Sequence, residues 1–222
     1  MKQNASSSSS WRLYVIVDRV ACGDRDPVDV AAAAIRGGAD VIQLRQKDGS
    51  DAQVLALGAA VSPLAQAAGI PVIINDRAHV AQALPGAGLH LGQADLPLAR
   101  ARSVLGPNRL IGKSTHSLEQ ALAAQTEGAD YIGLGPIFPT PTKPDYGCIG
   151  LDVIAEVRRR VLRPVVCIGG IDAERLPRVL AAGAGCVAVV RAVCAAADPE
   201  EATRALKRIL EQFHHTPSPS SL

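Results

Sequence analysis

Apolar positions in this chain come in short blocks rather than at helical spacing. Eight such blocks, four or five residues each, recur: LYVIV (13–17), VIQL (41–44), PVIIN (71–75), LHLG (89–92), LIGKS (110–114), YIGLG (131–135), PVVCI (164–168) and CVAVV (186–190). They are rich in β-branched residues and apolar almost throughout, the pattern of strands in a parallel sheet covered on both faces. Between them lie Ala/Leu/Arg/Glu-rich stretches that scan as helices, such as 117–128 (SLEQALAAQTEG) and 173–183 (AERLPRVLAAG). With 199–213 (PEEATRALKRILEQF) as the last, eight strands alternate with eight helices.

A shorter repeat lies inside this one. Gly-Ala-x precedes every even strand: Gly38-Ala39-Asp40, Gly86-Ala87-Gly88, Gly128-Ala129-Asp130 and Gly183-Ala184-Gly185. A glycine in the left-handed conformation ends a helix, and small residues let the chain turn tightly into the next strand. A device recurring every two βα units predicts a closed eightfold barrel of four similar quarters, a single (β/α)₈ TIM barrel. A doubly wound open sheet is the alternative. The expected organisation is a disordered segment over 1–10 with its serine run, a barrel over 11–213, and a disordered tail over 214–222.

Composition narrows the class. Of the 222 residues, 48% are apolar and 20% charged, with a net charge of +2, which gives no electrostatic case for nucleic acid or a membrane surface. Aromatic residues make up 3% of the chain, too few for a base-stacking platform. The five cysteines (Cys22, Cys148, Cys167, Cys186, Cys194) form no CxxC and no Cys/His ligand spacing, so reduced, mostly buried thiols in a cytoplasmic protein are expected. The start MKQNASSSSS lacks the apolar region of a secretory signal, and no apolar stretch reaches membrane-spanning length. Composition leaves the oligomeric state open, a homo-oligomer included.

In such barrels the reactive groups sit at the C-terminal ends of the strands and in the loops that follow. Those positions are polar here. Strand two ends in Gln43, Arg45 and Lys47, strand three in Asn75 and Asp76; strand four is followed by Gln93 and Asp95, and strand five by Ser114, Thr115 and His116. Gln43, Arg45 and Lys47 alternate, so they share a face. Asp76 and Asp95 follow neighbouring strands and could reach one ion; oxygen ligands without sulfur or a close His pair favour Mg²⁺. The plain alternative is that each aspartate caps the helix after it. For the cations it is solvated surface charge.

After strand six the chain spends sixteen residues, Gly135 to Gly150, on a loop with four prolines, Thr140, Thr142 and Lys143. Loops of that length without their own secondary structure are usually functional or disordered, and prolines argue for a shaped one. Gly169 and Gly170 after strand seven, with Val190-Arg191 after strand eight, fit the phosphate cup of such barrels; the alternative, a tight turn into a helix capped by Asp172, is compatible with it. Ser114 lies outside any G-x-S-x-G setting and Cys148 has no evident base, so no conventional nucleophile stands out. A diphosphate-like pocket, a monophosphate pocket and no nucleophile point to joining two phosphorylated substrates, with diphosphate as the leaving group.

QLRQK, INDRAHVAQAL, LHLGQADLP, GKSTHS, GLGPIFPTPTK, CIGGI and VAVV, in order from strand two to strand eight, closely resemble the motifs of the thiamine-phosphate synthase family. The resemblance runs from about Leu13 to Phe213. It implies a (β/α)₈ enzyme that couples a hydroxymethylpyrimidine diphosphate to a thiazole phosphate, carboxylated in some members, giving thiamine phosphate and diphosphate. It further implies that Gln43, Leu44, Arg45, Gln46, Lys47, Asn75, Ser114 and Lys143 bind the pyrimidine diphosphate, with Lys143, Ser114 and Arg45 acting in catalysis. Asp76 and Asp95 would hold Mg²⁺. Thr140, Pro141, Thr142, Gly170, Val190 and Arg191 would hold the thiazole phosphate. The family's course, ionisation to a pyrimidine-stabilised cation captured by the thiazole nitrogen, needs no enzymic nucleophile.

One position departs from that pattern. Family members usually carry Ser after the strand-eight AVV, and this chain has Arg191. Either the guanidinium replaces the hydroxyl as phosphate ligand, or it points away and leaves the backbone N–H alone. Two other readings remain: a thiazole tautomerase of the same fold using His116 as base, and a non-catalytic phosphate-binding barrel.

Overall fold

The computed structural model describes residues 10–140 and 147–215. Eight parallel strands, β1 (Leu13–Asp18), β2 (Val41–Arg45), β3 (Val72–Asn75), β4 (Gly88–Leu91), β5 (Ile111–Thr115), β6 (Tyr131–Leu134), β7 (Val165–Ile168) and β8 (Cys186–Val189), close into a barrel in chain order. Closure comes from β1, which pairs with β2 on one side (Tyr14 opposite Val41) and with β8 on the other (Val15 opposite Val189). Every apolar block became a strand within one residue of its expected bounds.

Around the barrel run α1 (Pro27–Arg36), α2 (Asp51–Ala67), α3 (Ala78–Ala83), α4 (Leu98–Leu105), α5 (Leu118–Thr126), α6 (Asp152–Arg160), α7 (Leu176–Ala181), α8 (Arg191–Cys194) and α9 (Pro199–His215). The helix count differs from the sequence expectation by α8, a single turn between β8 and the closing helix. Four residues are too few for apolar periodicity to register.

The Gly-Ala repeat does what its chemistry requires. Gly38, Gly128 and Gly183 follow the caps of α1, α5 and α7 with φ of 95°, 93° and 101°. The next amide reaches back to close each helix, as in Ala129 N–H to the Ala124 carbonyl at 3.0 Å, the Schellman arrangement. A Cβ at Gly128 would meet nothing within 4 Å, so only the backbone conformation excludes a side chain. Gly128→Ala is therefore expected to destabilise by about 1–2 kcal/mol and to lower Tm by a few degrees with activity intact, read by thermal unfolding and turnover on one preparation.

Two of the four quarters carry an aspartate after the Gly-Ala, and both use it alike. Asp40 Oδ2 accepts from the Leu13 N–H and Asp130 Oδ2 from the Ile111 N–H, each at 2.8 Å. Each aspartate's own N–H returns to the same residue's carbonyl, also at 2.8 Å. These clamps fix the entry of β1 and β5 at the rim opposite the strand C-termini. Lys207 neutralises Asp40 and Arg102 neutralises Asp130, each at 2.6 Å.

Apolar burial forms two layers. The larger packs Leu13, Val15, Ile42, Ile74, Leu89, Ile132 and Val187 against the helices. The smaller fills the barrel with Trp11, Tyr14, Ile16, Ile73, Tyr131, Val166 and Ala188. Trp11 stands edge-on to both tyrosines, with ring centroids 6.1 and 5.4 Å away. The three rings make a floor, and the barrel above it is hollow.

Candidate active site

Above the aromatic floor, at the strand C-termini, lies a cavity of about 300 Å³. Gln43, Arg45, Asn75, Ser114, Thr140, Gly170, Val190 and Arg191 all line it. The same strand periodicity that carries Gln43 and Arg45 inward turns Leu44 outward, where it packs between sheet and helices. Gln46 lies outside the cavity, its carbonyl accepting from Arg77 at 3.2 Å. Pro141, Thr142 and Lys143 fall outside the described residues.

The floor is wired by side-chain hydrogen bonds. Gln43 Nε2 donates to Tyr14 Oη at 2.7 Å, and Tyr14 Oη meets Tyr131 Oη at 3.0 Å. Tyr131 Oη lies 3.0 Å from His90 Nδ1, and His90 Nε2 is 2.9 Å from Ser114 Oγ. Five side chains on β2, β1, β6, β4 and β5 thus form one series ending in two expected ligands, Gln43 and Ser114. Burial drives both phenols well above the ordinary tyrosine value, so they stay protonated. Tyr14, Tyr131 and His90 were not singled out as candidates from sequence. The signal available was His90 itself, a polar residue inside an apolar strand.

A charged cluster flanks the cavity at the ends of β2, β3 and β4. Arg45 pairs with the buried Asp18, whose other oxygen accepts from the Ala21 N–H at 2.9 Å. Lys47 Nζ lies 3.2 Å from Asp76 Oδ2, and the carboxyls of Asp76 and Asp95 are within hydrogen-bonding reach of each other. Neither aspartate caps a helix: α3 and α4 begin behind Arg77 and Pro97 with no side-chain cap. Asp95 Oδ2 instead accepts from the Gly92 N–H at 2.6 Å. Asp76 has φ 64°, the one positive value at a non-glycine residue among those described. Burial, reinforced by Asp95, lifts the Asp76 carboxyl above its usual range. Burial also opposes ionisation of Asp95, but Asp76, the Gly92 amide, Lys47 and Lys113 outweigh it and hold that carboxyl low. Lys113 is 7% exposed, and its ammonium donates to the Gly92 carbonyl at 2.8 Å, bracing the loop that carries Asp95.

Across the cavity the chain after β7 turns through Gly169 and Gly170, with φ of 107° and 62°. A Cβ on Gly169 would come within 2.5 Å of Pro136 and one on Gly170 within 2.7 Å of the Pro139 carbonyl, so the bare backbone is packed under the loop after β6. Asp172 Oδ1 accepts from the Arg175 N–H at 2.9 Å and caps the turn that precedes α7, rather than the helix itself. Arg191 is the first residue of α8, exposed at the cavity edge, and its guanidinium has no hydrogen-bond partner among the described residues. A hydroxyl beside an imidazole does occur, Ser114 Oγ at 2.9 Å from His90 Nε2, but outside the G-x-S-x-G turn of a hydrolase elbow. Burial pushes the Cys167 thiol up to about 12 and Cys186 upward as well. The partner of Ser114 is His90, while His116 donates from Nδ1 to the Gly135 carbonyl. Among the described residues no group of three or more His, Cys, Asp or Glu side chains is placed to hold a metal, and no helix is long and apolar enough to cross a membrane.

Comparison with known proteins gives a consistent result. The family described as thiamine monophosphate synthase matches residues 13–193. A thiamine-phosphate synthase of Roseiflexus sp. (strain RS-1) is 49% identical over 199 residues, covering 89% of this chain and 84% of that protein. One from Shouchella clausii is 44% identical over 203 residues, covering 91% and 97%. The solved thiamine phosphate pyrophosphorylase from Pyrococcus furiosus superimposes with a TM-score of 0.86 at 36% identity, covering 93% of this chain and 98% of that one.

Proposed function

The chain belongs to the thiamine monophosphate synthase family, and from that premise we propose how its cavity divides the work of the reaction. The protein is a transferase: it joins 4-amino-2-methyl-5-(diphosphooxymethyl)pyrimidine to a thiazole phosphate, yielding thiamine phosphate and diphosphate. The observation that carries the division is that one cavity is flanked by cations and paired carboxylates beside β2–β4 and has bare glycine backbone after β7.

In this reading Arg45 and Lys47, with Lys143 from the loop after β6, take the diphosphate. Gln43, Asn75 and Ser114 hold the pyrimidine. Gly170, the Val190–Arg191 backbone and residues 140–142 take the thiazole phosphate. The C–O bond to the diphosphate breaks with its electron pair leaving on oxygen, and the thiazole nitrogen supplies the pair for the new C–N bond. The protein's part is to align the two substrates and to stabilise the charge that develops on the departing group.

Asp76 and Asp95 suit Mg²⁺. Two adjacent carboxylates, neither used as a cap, form a like-charged pair that a cation relieves, and two is the number Mg²⁺ takes when waters and phosphate oxygens complete its shell. Bound there, the ion would neutralise the leaving diphosphate. The isomerase alternative has no use for this cluster. A cytoplasmic setting accords with the reaction.

The test is an assay with purified protein and both substrates, following diphosphate release and thiamine phosphate, with and without Mg²⁺. Product that requires Mg²⁺ supports the whole reading. Product without any divalent ion would remove the metal from it, and absence of product would overturn the assignment. Arg191→Ser addresses the family departure. If the guanidinium holds phosphate, KM for the thiazole phosphate should rise about tenfold with KM for the pyrimidine unchanged, as for loss of one charge-assisted contact. An unchanged KM would mean that backbone amides suffice.

A further inference from the structure

We propose that Arg77 is a positioning residue for the coupling reaction: its guanidinium fixes the loop between β2 and α2, so that Lys47 is held beside Asp76 and presented to the diphosphate. The proposal rests on the reading that the charged cluster beside β2–β4 takes that group.

The local structure starts at Asp76. The Arg77 N–H bonds back to the Asn75 carbonyl at 2.8 Å, the i→i+2 contact of a γ-turn, and Asp76 at its centre has the positive φ of the rarer form, 64°. Backbone of this kind persists only where its surroundings hold it. Here the Asp76 N–H is tied to the His90 carbonyl of β4 at 2.9 Å. The turn directs two consecutive side chains at one neighbour. Asp76 meets Asp95 and Lys47, while Arg77 crosses to the segment that carries Lys47.

That segment, residues 46–50, has no strand or helix of its own. Nη2 of Arg77 donates to the carbonyls of Gln46 at 3.2 Å, Lys47 at 3.1 Å and Gly49. Nη1 donates to Oδ1 of Asp51, the first residue of α2, at 2.5 Å. One planar fork therefore spans the loop from its start to the helix beyond it, which the point charge of a lysine could not do. His79 on α3 meets the other oxygen of Asp51 at 2.5 Å and steadies the far end of the span. The Gln46 side chain lies against Gly49, where a Cβ would come within 2.4 Å of its amide nitrogen, so the loop is also closed from within.

Lys47 is thus held at both ends by neighbours in sequence, its ammonium by Asp76 at 3.2 Å and its carbonyl by Arg77. Its side chain is 53% exposed, and an exposed lysine on an unbraced loop loses much of the value of its charge to water and rotamer freedom. Anchoring its backbone removes part of that freedom before substrate arrives, which raises affinity for an anion without adding a contact. Arg77 is not among the described residues lining the cavity, so it acts through Lys47 rather than on substrate.

The test is calorimetric binding of inorganic diphosphate with Mg²⁺ to the full-length protein. Arg77→Gln should weaken binding about tenfold and raise KM for the pyrimidine diphosphate by a similar factor, leaving KM for the thiazole phosphate unchanged. In a Lys47→Gln background the same substitution should change diphosphate binding by no more than about twofold, because the residue it positions is gone. An equal loss in both backgrounds would show that Arg77 acts on something other than Lys47, and unchanged binding in the single variant would show that the brace is idle; either result overturns the proposal. A general structural role would raise both KM values and lower kcat together, which refutes it as well. Arg77→Lys, which keeps the charge but not the fork, is held to the same outcomes if Arg77→Gln does not fold. If wild type binds no diphosphate, the functional reading fails instead, and amide hydrogen exchange decides the brace. Residues 46–50 should then exchange about tenfold faster in the variant while the barrel strands stay protected. Equal exchange in both proteins would sink it.

Discussion

Asp76→Asn is expected to lower kcat/KM about 10²- to 10³-fold while the protein stays folded, the size of effect seen when a group facing developing charge is neutralised. The choice of asparagine matters. Asp76 sits at φ 64°, a conformation that asparagine tolerates and alanine does not, so the amide removes charge without disturbing the backbone. It also ends the like-charged contact with Asp95, and Lys47 loses its partner at 3.2 Å. Apo protein should therefore be no less stable than wild type, while calorimetric Mg²⁺ affinity in the presence of inorganic diphosphate falls with activity. A variant that loses activity but binds Mg²⁺ as before would show that Asp76 acts on substrate rather than through the ion.

Gly112→Ala should produce the second large loss, in stability as well as activity. The new methyl group would lie 2.1–2.5 Å from three atoms of the Tyr131 ring, itself fully buried against Trp11 and Tyr14. Such overpacking costs roughly 3 kcal/mol, which for a domain of this size lowers Tm by about 6–12 °C. Thermal unfolding reads the first effect. A double-mutant cycle with Tyr131→Leu isolates its cause, because alanine at 112 should cost much less once the ring is gone. Equal costs in both backgrounds would place the strain elsewhere.

The barrel was legible because its signals are local. Each apolar block is bounded by glycine or polar residues, and the glycines before even strands announce a conformation that no other residue adopts readily. The rim was legible for the same reason: polar side chains at the ends of apolar blocks, such as Asn75 and Ser114, have few structural explanations. Orientation within the strands was not legible. A parallel strand is buried on both faces, so its sequence does not say which side is the interior, and Tyr14 and Tyr131 read simply as apolar strand residues. That they meet each other and His90 depends on register across four strands. Asp18 escaped notice likewise, since it matters through Arg45 on the neighbouring strand. The capping alternative for Asp76 and Asp95 turned on where α3 and α4 begin, and helix starts are the boundaries that sequence locates least well.

Trp11 is the only tryptophan in the chain, 3% exposed, with an indole N–H that has no hydrogen-bond partner among the described residues. It lies directly beneath Tyr131, and hence beneath whatever occupies the cavity. Its fluorescence accordingly reports from one dry position, with blue-shifted emission and with Tyr14 and Tyr131 near enough to pass it their excitation energy. Displacement of either ring by an arriving substrate alters that signal. The native protein thus contains its own optical probe, and ligand titrations can be followed without attaching a dye.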